Sequence, residues 1–184
     1  SGSSYGALVA ANLYLAAPAR VCRLVLNGSS SCFSNEAQLV ASVANAHANY
    51  GGLMEASDPT GWRDHLEKVV HRPAAVPEAL PSLLALAYAQ PWIAAYWRET
   101  IAAMSDPQRF RRFRVLERLH EIDVPTLVLW GCDDKGASFE SAQAAVRKMP
   151  RALLIGIADC GHLPMLEQPE TVNQAMNAFL QDEH

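Results

Sequence analysis

Three continuous apolar runs restrict this chain more than any other feature of it: residues 21–27 (VCRLVLN), 126–130 (TLVLW) and 152–157 (ALLIGI). Short runs without strict polar alternation, bounded by turn residues, read as strands buried in the interior of a sheet. Gly28 and the serines at 29–31 close the first, 131–136 (GCDDKG) the second, and 158–162 (ADCGH) the third. A helical run at 7–17 ends near Pro18 and leads into the first strand. Another at 138–149 separates the second and third, and a terminal one covers 170–180 behind Pro169. Strand, loop and helix repeated in this order predict a parallel sheet whose strand C-termini lie along one side. The expected class is α/β.

Between the first and second strands the texture changes. Residues 29–122 contain no further strand-like run, and read as helices punctuated by Pro and Gly. The expected helices are 35–50, stopped by Gly51 and Gly52, then 60–70, 78–89, 92–104 and 107–121. The stretch is far longer than a crossover needs, so a helical cap is expected to be inserted into the sheet domain. The expected organisation is core at 1–28, cap at 29–122 and core at 123–184.

Half of the residues are hydrophobic and 18% are charged, which predicts a soluble chain with a substantial core. A net charge of −4 lends no electrostatic support to nucleic-acid binding. Residues 79–97 carry no charge, but Pro81 and Pro91 divide them into pieces too short to span a bilayer. No signal-peptide pattern is visible, and Cys22, Cys32, Cys132 and Cys160 lack C-x-x-C or metal-ligand spacing. A reduced, cytoplasmic protein with free thiols is expected.

The chemistry-bearing residues fall at strand ends. Residues 2–6 read Gly-Ser-Ser-Tyr-Gly, a G-x-S-x-G motif opening directly into the first helix. Such a turn is sharp enough that the positions flanking Ser4 are expected to demand glycine, and it pushes the serine hydroxyl out at a helix N-terminus. The backbone N–H of Tyr5 would receive an oxyanion there. A serine hydroxyl needs a base, which a neutral imidazole supplies, and the imidazole needs a carboxylate to hold one tautomer. His162 stands after the third strand, and Asp133 and Asp134 after the second; the residues alone leave either carboxylate open. No metal or organic cofactor is called for.

Taken together, Gly2 to Gly6, residues 124–134 (VPTLVLWGCDD) and residues 161–170 (GHLPMLEQPE) resemble the α/β-hydrolase superfamily. The resemblance implies Ser4 as nucleophile, His162 as base and Asp134 as the acid, since the family's aspartate stands three residues after the glycine that ends its strand. It also implies that the chain is the C-terminal part of an α/β-hydrolase fold with an inserted cap. The strands preceding the elbow in that family lie outside these residues, and are expected from the same or a separate chain. Without them a sheet edge would be uncovered; a homo-oligomer is also possible. The chain departs from the family's common pattern at Ala7, where many relatives carry a further glycine, and at residues 135–138 (KGAS) after the acid.

The implied activity is hydrolysis of a small ester, lactone or thioester. Residues 64–73 look loosely like the cap of hydrolases that cleave meta-cleavage products of aromatic catabolism at a carbon–carbon bond, although those often carry tryptophan where Leu163 stands. A non-catalytic relative binding a small molecule is the third reading. In the cap, Trp62, Tyr88, Trp92, Tyr96 and Trp97 either roof an apolar pocket or form the cap's own core. Arg109 and Arg112 either clamp a substrate carboxylate or belong to a solvated helix face with Glu117 and Glu121.

Overall fold

The computed structural model describes the backbone of residues 1–55 and 58–182 and, except at 45–52, 54 and 55, their side chains. Four strands, β1 (Gly2–Ser3), β2 (Leu24–Asn27), β3 (Thr126–Gly131) and β4 (Ala152–Ile157), form one sheet in the order β1-β2-β3-β4. All pairings are parallel; Leu24 pairs with Thr126, and Thr126 in turn with Ala152. The expected strand at 21–27 is thus shorter, beginning at Leu24. The reason lies in its partner: Pro125 precedes β3, and its carbonyl accepts from Leu24 N–H at 3.0 Å, so pairing starts there. Before it, Pro18–Arg20 forms a 3-10 turn.

The helices follow in order: α1 (Tyr5–Ala16), α2 (Ser30–Phe33), α3 (Glu36–Glu55), α4 (Pro59–Val69), α5 (Leu80–Tyr88), α6 (Pro91–Ser105), α7 (Pro107–Phe110), α8 (Phe139–Val146), α9 (Pro164–Glu167) and α10 (Pro169–Gln181). Residue alternation along the strands divides the core between two faces. Leu24, Leu26, Val128 and Trp130 pack with Ala7, Leu8 and Ala11 of α1 and Ala142 and Ala145 of α8. Val25, Leu127 and Leu129 face the other way, onto Val172 of α10. Helices on both faces of a parallel sheet are the α/β architecture expected.

Two helices differ from their sequence reading. Helix α3 runs through Gly51 and Gly52 to Glu55. A glycine in a helix costs about 1 kcal/mol against alanine but does not forbid the conformation. The helix expected over 107–121 ends at Phe110 and continues as 3-10 turns at Arg111–Phe113 and Leu116–Glu121. Phe110, Val115, Leu119 and Ile122 are all buried in the main core. An α-helix turns 3.6 residues at a time, so a step of five puts Phe110 and Val115 on different faces. Unwinding between them lets both point inward.

Parts of the helical region between β2 and β3 share the core of the sheet. Cys32, Phe33, Leu39, Val43 and the Phe110–Ile122 group join the main core, whereas Leu66, Val70 and Val76 of the α4–α5 region form a small cluster with Leu80, Leu84 and Leu163. Among the described residues no helix is long and apolar enough to cross a membrane.

Candidate active site

The turn between β1 and α1 holds Ser4 at φ 52°, ψ −120°, a backbone region that L-residues rarely occupy. Such a conformation costs about 1–3 kcal/mol and persists only where its surroundings enforce it. Here Ser4 N–H donates to the Asn27 carbonyl of β2 at 2.9 Å, and Ser4 C=O accepts from Ala7 N–H at 3.0 Å. A Cβ on Gly2 would stand 2.1 Å from the Gly6 carbonyl oxygen, so that position admits only glycine. Gly6 differs from expectation: a Cβ there would meet nothing within 4 Å. The tight approach is one-sided, backbone of residue 6 onto residue 2. Tyr5 opens α1, where the first N–H groups of a helix have no intrahelical acceptor and can serve an anion.

Asp134 Oδ2 lies 2.7 Å from His162 Nδ1. An ionised carboxylate only accepts, so Nδ1–H donates and Nε2 is left as the free, basic nitrogen. The Asp134 side chain is 1% exposed and that of His162 18%, so the pair is shielded on the acid side and open on the base side. Gly136 N–H donates to Asp134 Oδ1 at 2.8 Å, fixing the other oxygen. The neighbouring carboxylate is turned elsewhere: Asp133 Oδ2 accepts from Cys160 N–H at 3.3 Å.

The histidine loop is tied to the helical region by backbone. His162 N–H donates to the Val69 carbonyl at the end of α4, at 2.9 Å. A Cβ on Gly161 would lie 2.5 Å from His71 N and 2.7 Å from Val69 O, so the two chains touch at a residue without a side chain. Glu167, 3% exposed, joins them. Its Oε1 accepts from Gly161 N–H at 2.8 Å, and its Oε2 from His71 N–H at 2.7 Å and Arg72 N–H at 3.0 Å. The Arg72 guanidinium donates to the Glu167 carbonyl.

Ser4, His162 and Asp134 line one cavity of about 840 Å³, walled on its apolar side by Leu39, Tyr88, Trp97, Ile101 and Met104. The Tyr5 ring is 5.5 Å from Trp97, Trp97 is 6.5 Å from Tyr88, and Tyr88 is 4.5 Å from Trp62. Of these, Tyr5, Tyr88 and Trp97 line the cavity, while Trp62 is buried behind them. Trp92 is 69% exposed and is not part of the cavity wall. Arg109 and Arg112 are likewise exposed and outside it, with the Arg112 guanidinium 4.6 Å from the Phe113 ring centre.

Burial, then the nearby His162 and Lys68, lower the pKa of His65 below its ordinary value. Burial, helped by a hydrogen bond with Tyr96, pushes the Tyr5 phenol to about 12. Burial also raises the Cys32 and Cys160 thiols to about 12, so neither supplies a thiolate near neutral pH. Among the described residues one group has metal-donor spacing: His71, Asp133 and Asp159, all exposed, with donor atoms within 4.8 Å of one another. None of them lines the cavity. The roles of Glu167, His65 and Lys68 were not read from the sequence. Glu167 stands inside the quoted block 161–170, but nothing in the pattern tells a buried acceptor from a surface carboxylate.

A model of the Alpha/beta hydrolase family matches residues 1–175. The chain is 31% identical to a pimeloyl-[acyl-carrier protein] methyl ester esterase of Aromatoleum aromaticum, over 92% of this chain and 68% of that protein. A 2-hydroxy-6-oxononadienedioate/2-hydroxy-6-oxononatrienedioate hydrolase of Pseudomonas putida is 32% identical over 45% of this chain and 28% of its own length. Among solved structures, a meta-cleavage product hydrolase from Pseudomonas fluorescens superposes with a TM-score of 0.71 at 22% identity, covering 100% of this chain and 64% of that one. At that identity the likeness is one of fold. The chain thus spans about two thirds of the esterase and somewhat less of the solved structure.

Proposed function

The chain belongs to the alpha/beta hydrolase family, and from that premise we propose that the full-length protein is a serine hydrolase acting on a small carbonyl substrate, an ester, lactone or thioester. The observation that carries this reading is the 2.7 Å Asp134–His162 pair opening onto the same cavity as a serine held at positive φ. In the proposed reaction Ser4 Oγ attacks the carbonyl carbon while His162 Nε2 takes its proton. Asp134 holds Nδ1–H and stabilises the imidazolium. The oxyanion is received by Tyr5 N–H at the start of α1, where donors are fixed before reaction. His162 then protonates the leaving alkoxide or thiolate, and the acyl group remains on Ser4. Water attacks the acyl-enzyme with His162 again as base, releasing the acid and restoring the hydroxyl.

A fluorophosphonate probe tests this in the full-length protein. Labelling at Ser4, abolished in S4A, and a fall in kcat/KM of roughly 10³–10⁴-fold in D134N are expected. An unlabelled Ser4 would favour a non-catalytic binding protein. A second reading, carbon–carbon cleavage, draws on the names of the shorter-matching relatives, hydrolases of oxo-dienedioates. Turnover of a dienoate far above that of p-nitrophenyl esters would replace the esterase reading with it.

A further inference from the structure

Tyr5 is joined to Ser4 by a peptide bond and to the helical region by its side chain. Its ring lies 5.5 Å from that of Trp97 on α6, tilted by 57°, which is aromatic contact. Its hydroxyl is hydrogen-bonded to Tyr96 and Thr100, one turn apart on the same helix. Trp97 heads the neighbouring strip of α6, followed at helical spacing by Ile101 and Met104. Those three side chains form the α6 part of the cavity wall, and Tyr5 lines the cavity with them. Although α3, α5 and α7 also pack on α6, no residue of that helix is itself buried. A helix without a buried face takes its place from the side chains that reach it. Tyr5 reaches it from the elbow, whose backbone is fixed by the bond from Ser4 N–H to Asn27 and by the Gly2–Gly6 contact. One ring, carried by the residue after Ser4, thus spans from the elbow to the cavity wall.

We propose that the Tyr5 side chain determines acyl specificity: its ring holds the α6 wall off the elbow and occupies the space beside Ser4. The cavity then admits slender acyl groups next to the reacting carbonyl and turns away bulky ones. This role belongs to the side chain and is separate from that of the Tyr5 N–H. The inference deepens the hydrolase reading and rests on it for the identity of the acyl group.

Binding to the full-length S4A protein tests the selection apart from catalysis. Calorimetry compares methyl phenylacetate with methyl propanoate, two esters that differ by a ring one carbon from the carbonyl. Adding Y5A should raise the affinity ratio of the aromatic to the aliphatic ester about tenfold, because the ligand's ring fills the space the phenol leaves. Y5F keeps the ring and should keep the S4A ratio. Y5L, which retains apolar bulk without the ring's breadth, serves the same comparison should Y5A not fold. W97A opens the space from the other side and should also raise the ratio. Y5A with W97A should raise it by less than the product of the two single effects, since both rings border one space. A ratio left unchanged in Y5A and Y5L, or moved toward the aliphatic ester, would overturn the proposal. So would a shift equally large in Y5F, full additivity with W97A, or no binding of the aromatic ester to folded Y5A. Fluorophosphonate labelling is read separately. A ratio that moves as expected without labelling sinks the hydrolase reading alone, and labelling with an unmoved ratio sinks this one alone.

Discussion

His65 carries the clearest pH consequence at the level of single side chains. Burial, with His162 and Lys68 nearby, depresses its pKa in the folded protein, so the unfolded chain binds that proton more readily. The contribution of His65 to stability is therefore complete above its ordinary value of about 6.5 and is lost as the pH falls through that value toward the folded one. Thermal unfolding followed across this window should show Tm falling with acidification. In H65Q the fall should be shallower; an unchanged slope would mean that His65 is as free to ionise folded as unfolded. The same imidazole lines the cavity, so its neutral form also keeps a positive charge away from His162.

The turn from β1 into α1 is where an element's geometry depends on one atom. A Cβ at Gly2 would overlap the Gly6 carbonyl oxygen at 2.1 Å, a backbone contact with no flexible side chain to yield. G2A should therefore destabilise the protein by about 2 kcal/mol or more, in the range of overpacking and backbone strain. G6A meets open space, and an alanine in the first turn of a helix should be neutral or stabilising by up to about 1 kcal/mol. Denaturant melts of the two variants decide the matter; equal losses would mean that both glycines are demanded. The motif displays two glycines alike, and only the fold distinguishes them. The 3-10 turns after Phe110 follow the same logic, since helical residues with the wrong spacing for one buried face unwind to bury both.

For the molecule as a whole, Glu167 is the joint between the histidine loop and the segment after α4. Three backbone N–H groups converge on its buried carboxylate, from Gly161, His71 and Arg72. In E167Q one carboxylate oxygen becomes an NH₂ donor facing another donor, which costs about 1–3 kcal/mol for the group left unsatisfied. A drop in Tm of that size is expected, together with faster hydrogen exchange at the His71 and Arg72 amides than in the sheet. Uniformly faster exchange would show that Glu167 serves global stability rather than this joint. Because His162 N–H also donates to Val69, movement here reaches the histidine loop directly.

The apolar runs at 126–130 and 152–157 were enough to specify parallel strands, and G-x-S-x-G with the Gly-His-Leu-Pro block was enough to nominate Ser4 and His162. These are local signals, written in hydrophobic periodicity and in turns that few residues can make. The choice between Asp133 and Asp134 was open to the residues alone, because adjacent carboxylates differ only in where the loop turns them. Folding aims Asp134 at His162 and Asp133 at the Cys160 amide. Likewise the aromatic residues of the helical region were indistinguishable until packing put Trp97 and Tyr88 in the cavity wall, Trp62 behind it and Trp92 in solvent. Backbone preference and burial pattern act over a few neighbours and can be read along the chain. The direction of a side chain, and the charge that faces it, depend on segments far apart in sequence and exist only once the chain has closed on itself.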